Sequence, residues 1–186
     1  PGVMLSSAAK EYLKVYGVLV GKNPLVFTNN DSGYETAIEF KKNGINSIIL
    51  DSRVNPQSEI IDEAINLGIK IKFSHVVVAA QGYKKVSSAD IAKISDDKKQ
   101  LGTIENIKCD CICVSGFWTP TIHLASQSGN KTKFKEEIDA FVPGTSKQKE
   151  TTLGAANGIF TLEETLKDSF IACLLYTSDA ADDVVG

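Results

Sequence analysis

The stretch Pro24 to Phe40, PLVFTNNDSGYETAIEF, constrains the fold of this chain more than any other, and the run Ser47-Ile-Ile-Leu-Asp51 follows it closely. Leu25-Val26-Phe27 is a short apolar strand, and Ser32 to Lys42 forms a helix that turns Ala37, Ile38 and Phe40 inward. Ser47 to Asp51 is a second strand without polar alternation, as expected where a strand is buried on both faces. Two such strands separated by a helix of about ten residues make a βαβ unit with parallel strands and a right-handed crossover.

The turn between the first strand and its helix decides whether such a unit can hold a nucleotide. A phosphate-cradling G-x-G-x-x-G needs one glycine for the turn, one to admit the pyrophosphate and one for close contact between helix and strand. Thr28, Asn30 and Gly33 occupy those three positions, so only the packing glycine is present. The Asn30 side chain would take space that phosphates need, and Asp31 would place a carboxylate at the helix N-terminus, otherwise an anion site. Asp31 and Ser32 read as helix caps. Asp51 ends the second strand 23 residues beyond Thr28, near where an acidic residue meets a ribose hydroxyl; a solvated turn residue is an equal reading. The scaffold is thus of the nucleotide-binding kind, with a degenerate turn at Thr28, Asn30, Gly33 and Asp51.

Around this unit the chain predicts a helix from Met4 to Tyr16 closed by Gly17. A further helix spans Ser58 to Leu67, with Ser58 as N-cap and Gly68 as stop. From Ile69 to Val114 the strands IKIKF, HVVVAAQ, KKVSSADIAKI and GTIENIKCDCICVSG are short and alternating, which predicts a β-meander. Residues 116 to 143 read as irregular, and Gly154-Ala-Ala-Asn-Gly158 opens a final amphipathic helix. The expected division is a connecting helix segment over 1–23, a dinucleotide-binding domain over 24–115 and a return segment over 116–172. Residues 173–186 depart in style and read as a non-native tail.

Composition excludes several functions. Twenty basic and 23 acidic residues leave a net charge of −3 with no basic run longer than a pair, so nucleic acid is not an expected partner. No apolar run approaches the ~20 residues that span a bilayer, and no export signal precedes the first helix, so a cytoplasmic protein is expected. Cys109, Cys111 and Cys113 alternate, placing three thiols on one strand face as reduced core residues rather than a metal site. His75 and His123 are 48 residues apart with no nucleophile pattern beside them, and Trp118 reads as packing or an interface anchor.

Strand, degenerate turn, meander and return helix together resemble the second dinucleotide domain of two-dinucleotide flavoprotein reductases. The fold class implied is α/β, a Rossmann-like dinucleotide-binding domain with βαβ units and a β-meander crossover, plus the return helix of a preceding dinucleotide domain. The strings PGVML, VFTNNDSGYETA, VSGFWTPTIHLASQSGNK, FVPG and GAANGIF, in that order, resemble the alpha subunits of heterotetrameric sarcosine oxidases over about residues 1 to 170. The resemblance implies an oxidoreductase that demethylates sarcosine to glycine with formation of peroxide and transfer of a one-carbon unit to tetrahydrofolate. It also implies NAD in the complete alpha subunit, FAD and FMN in the assembled complex, and beta, gamma and delta subunits as partners. This chain would then be an internal fragment without catalytic residues of its own. Carried over by position, Gly154, Ala155, Ala156, Phe160 and Leu162 are the expected NAD contacts. Two alternatives stand beside this reading. One is an NAD(P)H-dependent flavoprotein reductase or opine dehydrogenase-type subunit, disfavoured by the missing glycines and the absence of C-x-x-C; the other is a non-catalytic assembly module.

Overall fold

A computed structural model describes residues 1–97 and 99–182, with the side chains of 175–182 excepted. The chain divides into two compact units, Pro1–Phe117 and Trp118–Gly186.

In the first unit five parallel strands form one sheet in the order β1-β8-β2-β3-β4. These are β1 (Val3–Leu5), β2 (Pro24–Thr28), β3 (Ile48–Asp51), β4 (Lys70–Phe73) and β8 (Cys111–Ser115). Three helices, α1 (Ser6–Tyr16), α2 (Ser32–Lys42) and α3 (Glu59–Asn66), cover one face. There Tyr34, Phe40, Ile49, Ile61, Cys111 and Cys113 share a core. The other face is covered by an antiparallel meander of β5 (His75–Gln81), β6 (Ser88–Ile94) and β7 (Leu101–Lys108). Leu25, Leu50, Ile91, Cys109 and Ile112 form that second core. Apolar layers on both faces explain why β2, β3 and β8 lack polar alternation.

Helix α2 matches its expected bounds, and α1 and α3 stop where Gly17 and Gly68 adopt left-handed backbone at φ 64° and 70°. Several expectations are corrected. Met4 and Leu5 belong to an edge strand, so α1 starts at Ser6. IKIKF is not part of the meander: its alternation is that of a parallel edge strand, β4, whose Lys72 pairs with Glu105 of the meander strand β7. The run GTIENIKCDCICVSG is two strands, because Asp110 interrupts it. Its carboxylate accepts the Lys22 and Asn23 backbone N–H groups at 2.7 and 2.8 Å and draws the chain from the meander into the parallel sheet. Cys109 consequently lies ahead of β8, and the three thiols do not share a face. Cys109 packs on the meander side and Cys111 and Cys113 on the helix side, 3.8 Å apart.

The second unit holds a short helix α4 (His123–Gln127) and a hairpin of β9 (Thr132–Lys135) and β10 (Ala140–Pro143), a stretch expected to be irregular. Phe134 and Phe141 meet edge-to-face across it at 5.2 Å. A 3-10 turn, Gly154–Asn157, precedes helix α5 (Leu162–Asp182). Of the expected tail, 173–182 continues α5 and 183–186 lie outside the described residues.

Candidate functional site

The order of the parallel strands reverses between β2 and β8. In open α/β sheets that switch point, at the carboxyl ends of the strands, is where ligands bind. A crevice of about 270 Å³ opens there, walled by Thr28, Asn29, Ser115 and Gly116. The turn beside it is closed by its own side chains. Thr28 Oγ1 donates to the Asn30 carbonyl at 2.7 Å and accepts from the Asn30 N–H at 3.1 Å. Asn30 Oδ1 accepts from the Ser32 N–H at 3.0 Å, the Ser32 hydroxyl at 2.6 Å and the Ser115 hydroxyl at 3.2 Å. Its amide donates to Asn29 Oδ1 and to the Gly116 carbonyl. A free helix N-terminus would offer the Ser32 N–H to an anion; here Asn30 takes it.

Gly33 is in close contact with β2. A Cβ on it would lie 2.6 Å from both Cβ and Oγ1 of Thr28. Asp31 makes no side-chain cap, contrary to the sequence reading; its carboxylate lies 2.8 Å from Arg53 Nη2. Asn30 supplies the cap in its place.

Asp51 is fully buried, which corrects the solvated-turn alternative. Tyr34 donates its hydroxyl to Oδ2 at 2.7 Å. Arg53 donates its backbone N–H to Oδ1 at 2.9 Å, Nε to Oδ1 at 3.1 Å and Nη2 to Oδ2 at 2.8 Å. Both carboxylate oxygens are therefore engaged. Burial and the Asp51 carboxylate push the Tyr34 phenol well above its usual range. Burial works against the Arg53 charge, but Asp51 and Asp31 hold it above its ordinary value. Sequence reasoning did not single out Tyr34 or Arg53. Arg53 sits two residues after a strand-ending Asp, and that spacing was the available signal.

In the second unit the five residues expected at a cofactor occupy two structures rather than one helix start. Gly154, Ala155 and Ala156 lie in the 3-10 turn, with Gly154 buried at φ 61° and Ala155 exposed. A Gly154 Cβ would lie 2.9 Å from Thr165 Cγ2. Phe160, 40% exposed, precedes α5, and Leu162, 76% exposed, begins it. The start of α5 is capped by Thr161: its Oγ1 accepts the Glu164 N–H at 3.3 Å and donates to Glu164 Oε2 at 2.6 Å. With Glu163 and Glu164 in the first turn, this terminus suits an apolar or neutral contact better than a phosphate. His75 Nδ1 lies 2.6 Å from the Phe73 carbonyl, and His123 is in the second unit.

Comparison with known proteins places this geometry. The chain matches no protein-family profile. Its backbone resembles solved flavoprotein reductases. Thioredoxin reductase of T. acidophilum superposes with a TM-score of 0.57 at 14% identity, over 84% of this chain and 52% of that one. The HOCl-induced flavoprotein disulfide reductase RclA of Escherichia coli gives 0.61 at 15% identity, over 90% of this chain and 37% of that one. The fold is the Rossmann-like α/β type of two-dinucleotide flavoprotein reductases. Sequence narrows this further. The chain is 31% identical over 162 residues to sarcosine oxidase subunit alpha of Corynebacterium sp. strain P-1, covering 86% of this chain and 16% of that protein. To the subunit alpha of Rhizobium meliloti strain 1021 it is 34% identical over 158 residues, 84% of this chain and 15% of that protein. The chain belongs with the sarcosine oxidase alpha subunits and spans about 16% of the length of these curated relatives.

Proposed function

We propose that this chain is scaffold and part of an NAD site within the alpha subunit of a cytoplasmic sarcosine-oxidising complex. The complete complex, with beta, gamma and delta subunits, FAD and FMN, would demethylate sarcosine to glycine with release of peroxide and pass the one-carbon unit to tetrahydrofolate. In this reading the first unit is a dinucleotide fold that holds no nucleotide of its own. The observation that carries it is the closure of the turn: Asn30 spans from the helix N-terminus to Gly116, and Asp51 has no oxygen left for a ribose. A nicotinamide dinucleotide does not fit these residues without dismantling their network.

The residues Gly154 to Leu162 fit a cofactor held mainly by another dinucleotide domain of the same subunit. Ala155, Phe160 and Leu162 are accessible and apolar, and Leu162, Leu166, Phe170 and Leu174 continue as an exposed stripe along α5. When bound, NAD would supply redox or structural chemistry; these side chains would line it and exclude water. Exposed Tyr12, Val15, Tyr16, Val18 and Leu19 around the end of α1 favour an assembly role as well. The test is cofactor content and peroxide production for the chain, a complete alpha subunit and the assembled complex. NAD should appear with the complete subunit, and turnover only with the complex. A chain that purifies yellow, or makes peroxide from sarcosine by itself, would contradict this reading.

A further inference from the structure

The parallel sheet has an opening at the end opposite the nucleotide turn. A cavity of about 380 Å³ is bounded by the first residues of β2, β3 and β4 and the last residues of β7. Leu25, Ile48, Ile69 and Ile107 make its wall apolar, and Lys41, Lys70 and Lys108 border it; no Asp or Glu lines it. Elsewhere in this unit Lys10, Lys42 and Lys72 each pair with a glutamate, while Lys14, Lys22, Lys84, Lys85 and Lys93 form no ion pair among the described residues. Lys41 donates only to Asn46 Oδ1, at 3.0 Å, and the ammonium groups of Lys70 and Lys108 have no hydrogen-bond or ion-pair partner among the described residues.

The C-terminal ends of α2 and α3 also lie at this end of the sheet, and each contributes about −0.5 of a charge. Three lysines outweigh them by about two charges, so the lysines do more than complement the helix ends.

We propose that this cavity is a binding site for a small amphiphilic oxyanion. A phosphate or carboxylate head would be held by Lys41, Lys70 and Lys108, and an apolar body would lie on the isoleucine wall. The volume falls within the ~300–1,000 Å³ of small-molecule sites. The proposal is independent of the NAD reading, because none of its residues belongs to the carboxyl-end turn or to the second unit.

Calorimetric titration of the full chain with phenyl phosphate and, separately, with benzoate tests it, with phenol and inorganic phosphate as controls. Saturable 1:1 binding of either anion is expected, and which one binds identifies the head group. Phenol and inorganic phosphate should each bind at least about tenfold more weakly. The double variant Lys70→Gln/Lys108→Gln should weaken binding by about tenfold or more, and the double Lys→Arg variant should retain most of it. The two lysines are exposed, so both double variants should keep the native circular dichroism. The proposal is overturned if neither anion saturates, if phenol binds as tightly as phenyl phosphate, or if the glutamine variant binds unchanged. Inorganic phosphate binding as tightly as phenyl phosphate would remove the apolar body from it.

Discussion

The two ends of the parallel sheet have opposite characters. At the carboxyl ends, where such folds bind nucleotides, polar side chains are turned on one another: Asn30 on Ser32, Ser115 and Gly116, and Asp51 on Tyr34 and Arg53. At the amino ends, three lysines border an apolar cavity with no carboxylate among them. A fold thus fixes where a site can form, while the residues at that place decide whether it is open. Where the turn glycines are replaced by hydrogen-bonding residues, Asn30 takes the Ser32 N–H, and the polar side chains of the turn are engaged with one another.

If that contrast holds, substitutions at the closed end cost stability and those at the open end do not. Asp51→Asn has the largest expected effect. It leaves the buried Tyr34 hydroxyl and the Arg53 guanidinium without their charged acceptor and should cost about 3 kcal/mol, read as a lower urea midpoint at unchanged slope. A cost under about 1 kcal/mol would show that the network is not what holds the turn. Gly33→Ala comes next, at about 2 kcal/mol, because its new Cβ meets Thr28 inside contact distance. Adding Thr28→Gly should recover part of that loss if the clash is its cause, and a strictly additive double variant would exclude it.

A smaller effect concerns pH and the edge of the open cavity, which Cys109 lines. Burial, with Asp110 and Cys111 nearby, pushes its thiol up to about 11 from 9.0. The unfolded chain therefore loses this proton first. The stability contributed by Cys109 is complete below about pH 9 and is lost as pH rises toward about 11. The stability difference between wild type and Cys109→Ala should shrink across that window; a constant difference would contradict it. The smallest effect is expected at the open end. Lys70→Gln and Lys108→Gln should each change stability by less than about 0.5 kcal/mol, or raise it slightly by relieving like-charge repulsion.

Much of the architecture was legible in the sequence because apolar runs and glycine stops are local signals. The strand over Leu25–Phe27, helix α2 and the stops at Gly17 and Gly68 follow from them directly. What escaped depends on partners distant in sequence. The break between β7 and β8 rests on Asp110 capping Lys22 and Asn23, and the loss of Asp31 as a cap rests on Arg53 across the turn. Alternation alone could not separate the parallel edge strand β4 from the meander, since one open face produces the same pattern in both. The closure around Asp51 was invisible because a strand-ending Asp reads alike whether its partners are water, a ribose or an arginine.

The most direct test of the account is an NADH titration of the chain followed by backbone amide shifts. Closure predicts no saturable change at Thr28 to Gly33, Asp51 or Arg53 as NADH is raised to millimolar concentration. One-to-one saturation with shifts centred on Asn30 and Arg53 would mean that the network opens to admit a nucleotide, and would contradict it.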